Sequence, residues 1–144
     1  MRKGEAELMA NEINVKASLE NLQEVIAFVD GFVEELGASM KAQMQIDVAV
    51  EEIFVNIASY AYAPDTGDAV ISVETDTEKK QVLITFKDSG VPYNPLEKED
   101  PDVTLSADER GIGGLGIFMV KKSMDDMRYE RKDGCNVLTI VKGV

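Results

Sequence analysis

The sequence predicts an α/β protein: an α+β two-layer sandwich in which about three helices cover one face of a mixed, mainly antiparallel sheet. Three observations lead there. Two long segments carry apolar residues at helical spacing, four later segments alternate as strands do, and those four come in pairs separated by short turns. Strands joined so closely pair antiparallel, and amphipathic helices must bury their apolar stripes against the resulting sheet.

Residues 11–17 alternate in strand fashion, with Ile13, Val15 and Ala17 on one face. Ser18 has the chemistry of a helix N-cap. Leu19, Leu22, Val25, Ile26, Val29, Phe32, Val33 and Leu36 follow at helical spacing until Gly37 stops the run. A second helix is predicted over 40–61. Val48, Ala49, Val50, Ile53, Phe54, Val55, Ile57 and Ala58 make it apolar on most sides, so it should be largely buried.

Pro64-Asp65-Thr66-Gly67-Asp68 reads as a turn, and strands follow near 69–75 and 81–87, the second with Val82, Ile84 and Phe86 on one face. Asp88-Ser89-Gly90-Val91-Pro92-Tyr93-Asn94-Pro95 breaks the pattern into a loop. Residues 97–110 are charged, contain Pro101 and lack periodicity, which predicts a mobile segment. After a glycine run, Leu115, Phe118, Met119 and Val120 mark a short third helix. Strands near 126–132 and 136–142, joined by a turn at Asp133-Gly134, close the chain.

A chain of 144 residues, 44% hydrophobic and 29% charged, is expected to form one folded domain over 1–144 rather than a disordered chain. No apolar run approaches the roughly 20 residues that span a bilayer, and the basic start Met1-Arg2-Lys3 leads into no apolar stretch, so neither a membrane segment nor a signal peptide is expected. The lone Cys135 cannot form an internal disulfide and fits a reducing cytoplasm. A net charge of −12 disfavours nucleic-acid binding, which needs clustered Lys and Arg. The chain has no histidine, which excludes a His-based triad, His metal ligands and a phosphohistidine on this chain.

Three groups of residues can carry chemistry. Glu52 and Asn56 stand four apart, hence on one face of the second helix, with Ser59 and Tyr60 extending the stripe. A carboxylate and an amide among Val, Ile and Phe need partners. They are either a polar stripe at the edge of a core helix, or a hard-metal ligand (the Asn56 oxygen) beside a general base (Glu52). Asp88, at a strand end before Gly90, either caps a turn or accepts a hydrogen bond from a ligand amino group, with Gly90 letting the backbone lie flat against a base.

The third group is Gly111-Ile112-Gly113-Gly114-Leu115-Gly116. It matches the dinucleotide fingerprint literally, but Ser106-Ala107-Asp108-Glu109-Arg110 before it is no hydrophobic strand, so that reading fails. It also lacks the Gly-Lys-Ser/Thr of a P-loop. What survives is a glycine loop opening a helix, a phosphate site made of backbone N–H groups and helix dipole.

Taken in order, Glu52-x-x-x-Asn56, Asp88-x-Gly90 and Gly114-Leu115-Gly116 resemble the N, G1 and G2 boxes of the GHKL ATPase fold, shared by gyrase, the heat-shock chaperone ATPase and histidine kinases. Within it the sequence looks most like the anti-sigma-factor serine kinases of the RsbW/SpoIIAB type. Ala49-Val50-Glu51-Glu52-Ile53-Phe54-Val55-Asn56, the loop from Asp88 to Pro95, and Gly113-Gly114-Leu115-Gly116-Ile117-Phe118 leading to Met124-Asp125-Asp126 carry that match. The resemblance covers about residues 11–142.

It implies ATP and Mg²⁺ as ligands. Asn56 would bind the metal, Glu52 would deprotonate the attacking hydroxyl, and Asp88 would read the adenine amino group above Gly90. Gly111, Gly113, Gly114, Leu115 and Gly116 would wrap the phosphates as part of a lid over about 97–113. Arg110 would neutralise charge developing on the γ-phosphate. Two positions depart from the family: Tyr60 stands where many relatives have His, and Gly134-Cys135-Asn136-Val137 stands where they often read Gly-Thr-Thr-Val. Cys135, Asn136 or the nearby Thr139 is left to take the place of the adenine-site Thr.

The implied activity is phosphorylation of a STAS-type anti-sigma antagonist on Ser or Thr, alternating with capture of a sigma factor, in a cytoplasmic protein able to form a homodimer. The alternatives are a non-catalytic ATP-gated binding module and the ATPase part of a two-component histidine kinase.

Overall fold

A computed structural model describes residues 7–9, 11–97 and 115–144. Most of the expected lid, including Arg110, Gly111, Gly113 and Gly114, therefore lies outside the described residues. In chain order the elements are β1 (Glu7–Met9), β2 (Glu12–Lys16), α1 (Leu22–Glu35), α2 (Met40–Asn56), β3 (Asp68–Asp76), β4 (Gln81–Asp88), α3 (Leu115–Ser123), β5 (Asp126–Lys132) and β6 (Cys135–Gly143). The six strands form one sheet in the order β1-β2-β3-β4-β6-β5, and every described pairing is antiparallel. The two-layer α/β architecture is the expected one; the mixed component finds no parallel pair among the described strands. β1 was not expected, being only three residues long.

Alternation decides which face of the sheet is covered. Ile13 and Val15 of β2, Ala69, Ile71 and Val73 of β3, Val82, Ile84 and Phe86 of β4, and Leu138 and Ile140 of β6 are all buried and join the helices in one core. Val25, Val29 and Val33 of α1 and Ile46, Val50 and Phe54 of α2 supply the other half. The alternation continues past the apolar residues: Asp88 is the next inward position after Phe86, and Asn136 precedes Leu138 on the same row. The register sets Asp88 directly opposite Asn136. Two polar side chains are thus delivered, by strand periodicity alone, to the helix-covered face.

Helix ends follow local chemistry. Gly37 adopts φ +83 and stops α1, with Ala38 N–H donating to Val33 O at 3.2 Å. Ser39 caps α2 by accepting from Ala42 N–H at 3.1 Å. Ser18 makes no side-chain cap bond; it precedes a single 3₁₀ turn, Leu19–Asn21, before α1 begins. The predicted helix over 40–61 is α2 followed by one π-helical turn, Ile57–Ala61. α2 is less buried than expected: it lies over the sheet between α1 and α3, and its remaining side leaves Met40, Met44 and Val48, spaced four apart, in solvent. Asp133 (φ 52) and Gly134 (φ 77) make the tight turn between β5 and β6, as the Asp-Gly pair predicts.

Candidate functional site

A cavity of about 550 Å³ opens between the end of α2, the start of α3 and the ends of β4, β5 and β6. That size suits a small organic ligand. Glu52, Asn56, Asp88, Gly116, Tyr129 and Asn136 are among the residues that line it.

Glu52 and Asn56 face the cavity from successive turns of α2. Asn56 Nδ2 donates to Glu52 Oε2 at 3.2 Å, so the amide holds the carboxylate and keeps its own Oδ1 unbonded among the described residues. The N-terminus of α3 comes against them through Gly116. A Cβ at that position would collide with the Glu52 carboxyl group, so the glycine leaves the room in which that carboxylate now sits. Gly116 and Ile117 line the cavity, placing the positive end of the α3 dipole on it. Leu115 is the first residue of α3.

At the opposite end, Asp88 and Asn136 are each 6% exposed. Asp88 Oδ1 accepts from Gly90 N–H at 2.9 Å and from Asn136 Nδ2 at 3.0 Å. The same Nδ2 donates to Val91 O at 2.8 Å, while Asn136 Oδ1 accepts from Tyr93 N–H at 3.1 Å and from the Tyr129 hydroxyl at 2.5 Å. Of the three candidates for the missing threonine, Asn136 is the one that meets Asp88. Thr139 requires a correction: one residue beyond inward-facing Leu138, it lies on the other face of the sheet, bonded to Thr85 at 3.1 Å, and does not line the cavity. Cys135 Sγ lies 3.3 Å from Ser89 Oγ and is likewise turned from it.

Gly90 also differs from its expected role. It is not on the cavity wall; the space a Cβ would need is filled by the Ala61 backbone carbonyl, and Val91 N–H donates to that carbonyl at 2.9 Å. The glycine lets the loop after β4 lie against the π-helical turn. Tyr62 secures the same junction. Its hydroxyl donates to Asp68 O at 2.6 Å and accepts from Ser89 N–H at 2.7 Å, and burial, with the nearby Asp88 charge adding, raises its pKa above the ordinary phenol value. Tyr60, 70% exposed, stands at the cavity rim.

Tyr129 and the wall formed by Val91, Pro92, Tyr93 and Pro95 were not singled out from the sequence as site residues. The signal for Tyr129 was its position two residues from an inward Met127 on β5, which becomes meaningful only once β5 is paired with β6.

An antiparallel sheet, helices on one face and a cavity carrying the Glu-Asn, Asp and Gly elements define a class: the model of the histidine kinase-like ATPase domain matches residues 15–142, and the chain belongs to that family. Among curated relatives it is similar to serine/threonine-protein kinase BtrW of Bordetella bronchiseptica, 28% identical over 102 residues that cover 71% of each chain. It is also similar to serine-protein kinase RsbW of Bacillus mycoides (23% over 131 residues, 88% of this chain and 81% of the relative) and of Listeria monocytogenes (25% over 114 residues, 76% and 72%). The family expected from the three boxes is the family found. No helix among the described residues is long and apolar enough to cross a membrane.

Proposed function

We propose that this protein binds Mg²⁺-ATP and is a serine/threonine protein kinase that phosphorylates a STAS-type anti-sigma antagonist and, in alternation, sequesters a sigma factor. The observation that carries the reading is the Glu52 carboxylate, held by Asn56 and met by the α3 N-terminus, at the wall of a cavity whose far end is closed by Asp88. The relatives' names, serine- and serine/threonine-protein kinase, supply the phosphoacceptor.

In this reading Asp88 Oδ2, which has no partner among the described residues, accepts from the adenine amino group. The α3 N-terminus receives the phosphates. Glu52 takes the proton from the acceptor hydroxyl as its oxygen bonds to the γ-phosphorus; the bond to the β-phosphate oxygen breaks and ADP leaves. Asn56 Oδ1 is an unbonded hard oxygen beside a carboxylate, and among the described residues no cluster of three or more His, Cys, Asp or Glu could hold a metal alone. That donor set fits Mg²⁺, which Asn56 Oδ1 would hold and which would supply neutralisation of the phosphate charge. Arg110, Gly111 and Gly113 of a lid over about 97–113, and Gly114 directly after it, would complete the phosphate end of this scheme within a single domain.

Incubation with Mg²⁺-ATP and a candidate antagonist, followed by mass spectrometry of the antagonist, tests the proposal. Phosphate on a Ser or Thr of the antagonist, lost in Glu52→Ala, is the expected result. Undiminished transfer by Glu52→Ala would remove the assigned base. ATP binding with no transfer to any antagonist would favour a nucleotide-gated binding module instead.

A further inference from the structure

Asn136 has every hydrogen-bonding group engaged. An amide offers two donor hydrogens and one oxygen with two lone pairs, and here both hydrogens go to Asp88 Oδ1 and Val91 O, both lone pairs to Tyr93 N–H and Tyr129 OH. Its orientation is forced. Tyr93 N–H can only donate and Val91 O can only accept, so the flipped amide would set oxygen against oxygen and nitrogen against nitrogen. Because Asn136 is saturated, it has nothing left to give a ligand directly.

What it does instead is act on Asp88. With Gly90 N–H and Asn136 Nδ2 both on Oδ1, the carboxylate cannot turn without breaking two bonds in a buried setting, and Oδ2 is the oxygen left over. Tyr129 reaches from the edge strand β5 to hold the amide from behind. We propose that Asn136, oriented by Tyr129, is a specificity-determining positioning residue: it aims one oxygen of Asp88 into the cavity so that the base is selected by a 6-amino donor. This rests on the nucleotide reading above. A 6-oxo purine would bring an acceptor against that oxygen and find no donor on Asn136 to compensate.

The test compares ATP with purine riboside 5′-triphosphate, which lacks only the 6-amino group, by calorimetric titration with Mg²⁺ in excess. Wild type should prefer ATP by a factor on the order of tens, the loss of one hydrogen bond to a charged group. Asn136→Ala should shrink that preference to about threefold or less, with the loss falling mainly on ATP rather than on the amino-free analogue; Tyr129→Phe, which removes a single oxygen, should lose part of the preference. A merely structural role would weaken both nucleotides alike, so equal losses, or an unchanged preference in both variants, would overturn the proposal. Should Asn136→Ala fail to fold, Tyr129→Phe decides on the same criterion. Wild type that binds neither nucleotide overturns the nucleotide reading itself, whereas wild type that binds both equally overturns selection through Asp88 alone.

Discussion

Gly116→Ala separates stability from activity in a way that few substitutions at this site would. Residue 116 lies in the first turn of α3, where alanine is a better helix former than glycine by up to about 1 kcal/mol. The added methyl would meet the Glu52 carboxyl, which is the far end of a flexible side chain and can move aside. Folding should therefore be unharmed, with a melting temperature equal to or a few degrees above the parent's. Phosphotransfer should suffer, because the carboxylate must move by on the order of 1 Å, and a displacement of that size costs roughly 10²-fold in rate. The assay is single-turnover transfer from Mg²⁺-ATP to the antagonist, beside a thermal melt of the same preparation. A variant that transfers phosphate at the parental rate would refute the reasoning, since Glu52 would then have no need of the space that glycine leaves it.

Two further perturbations read the scaffold around the site. Gly90→Ala places its methyl against the Ala61 carbonyl, which is backbone and cannot step aside, so stability should fall by about 1–3 kcal/mol; an unchanged urea midpoint would contradict that packing. Asp47 on α2 faces Asp30 and Glu34 of α1, and burial, then the Asp30 carboxyl and the Glu34 charge, push its pKa from 3.8 up to about 7. Both Asp30 Oδ1 and Asp47 Oδ1 are sealed from solvent without a donor, a state that a proton on Asp47 relieves. The folded state therefore holds a proton that the unfolded chain has lost between about pH 4 and 7, so this pair favours folding at acid pH and the contribution declines as pH rises through 7. Asp47→Asn should flatten that slope and stabilise the protein at pH 8 by about 1–2 kcal/mol, well under the unscreened ceiling because the pair is partly open to water. Equal stability of Asp47→Asn and parent at pH 8 in chemical denaturation would count against the assignment.

Which features were legible in the sequence follows from how local their causes are. Strand alternation and helical spacing are local, so the strands from 69 to 88, the turn at Asp133-Gly134 and the stop at Gly37 could be read directly. Glu52 and Asn56 were legible for the same reason, being one helical turn apart. The 3₁₀ turn before α1 was not, because Leu19 continues the apolar spacing yet remains in solvent. Nor was the exposure of Val48, since composition cannot say which side of a helix its neighbours will leave bare. Thr139 stands beside Cys135 and Asn136 as a candidate by residue type alone, a hydroxyl on the right strand, although its odd position relative to Leu138 turns it to the other face. Asn136 became the answer only through the pairing of β4 with β6, and Tyr129 through the pairing of β6 with β5.

Those pairings divide the site into two ends built on different principles. The end holding Asp88 is sheet: its side chains are tied across β4, β6 and β5, and Arg131, two residues beyond Tyr129, donates from Nη1 to Gly90 O at 2.9 Å, so β5 grips both the amide and the loop that Asp88 begins. The end holding Glu52 is helix: one carboxylate, one amide and the start of α3, touching through a glycine. Ladder bonds fix relative positions to the pleat of neighbouring strands, whereas two helix ends meeting at a glycine are set by packing and can separate without breaking a ladder. An end that must recognise one flat base gains from the first arrangement, because selectivity is lost when a reading oxygen can turn. An end that must admit a second protein's hydroxyl gains from the second. The net charge of −12 is no obstacle to either, since the phosphates would meet backbone amides and a bound metal rather than the field of the whole surface.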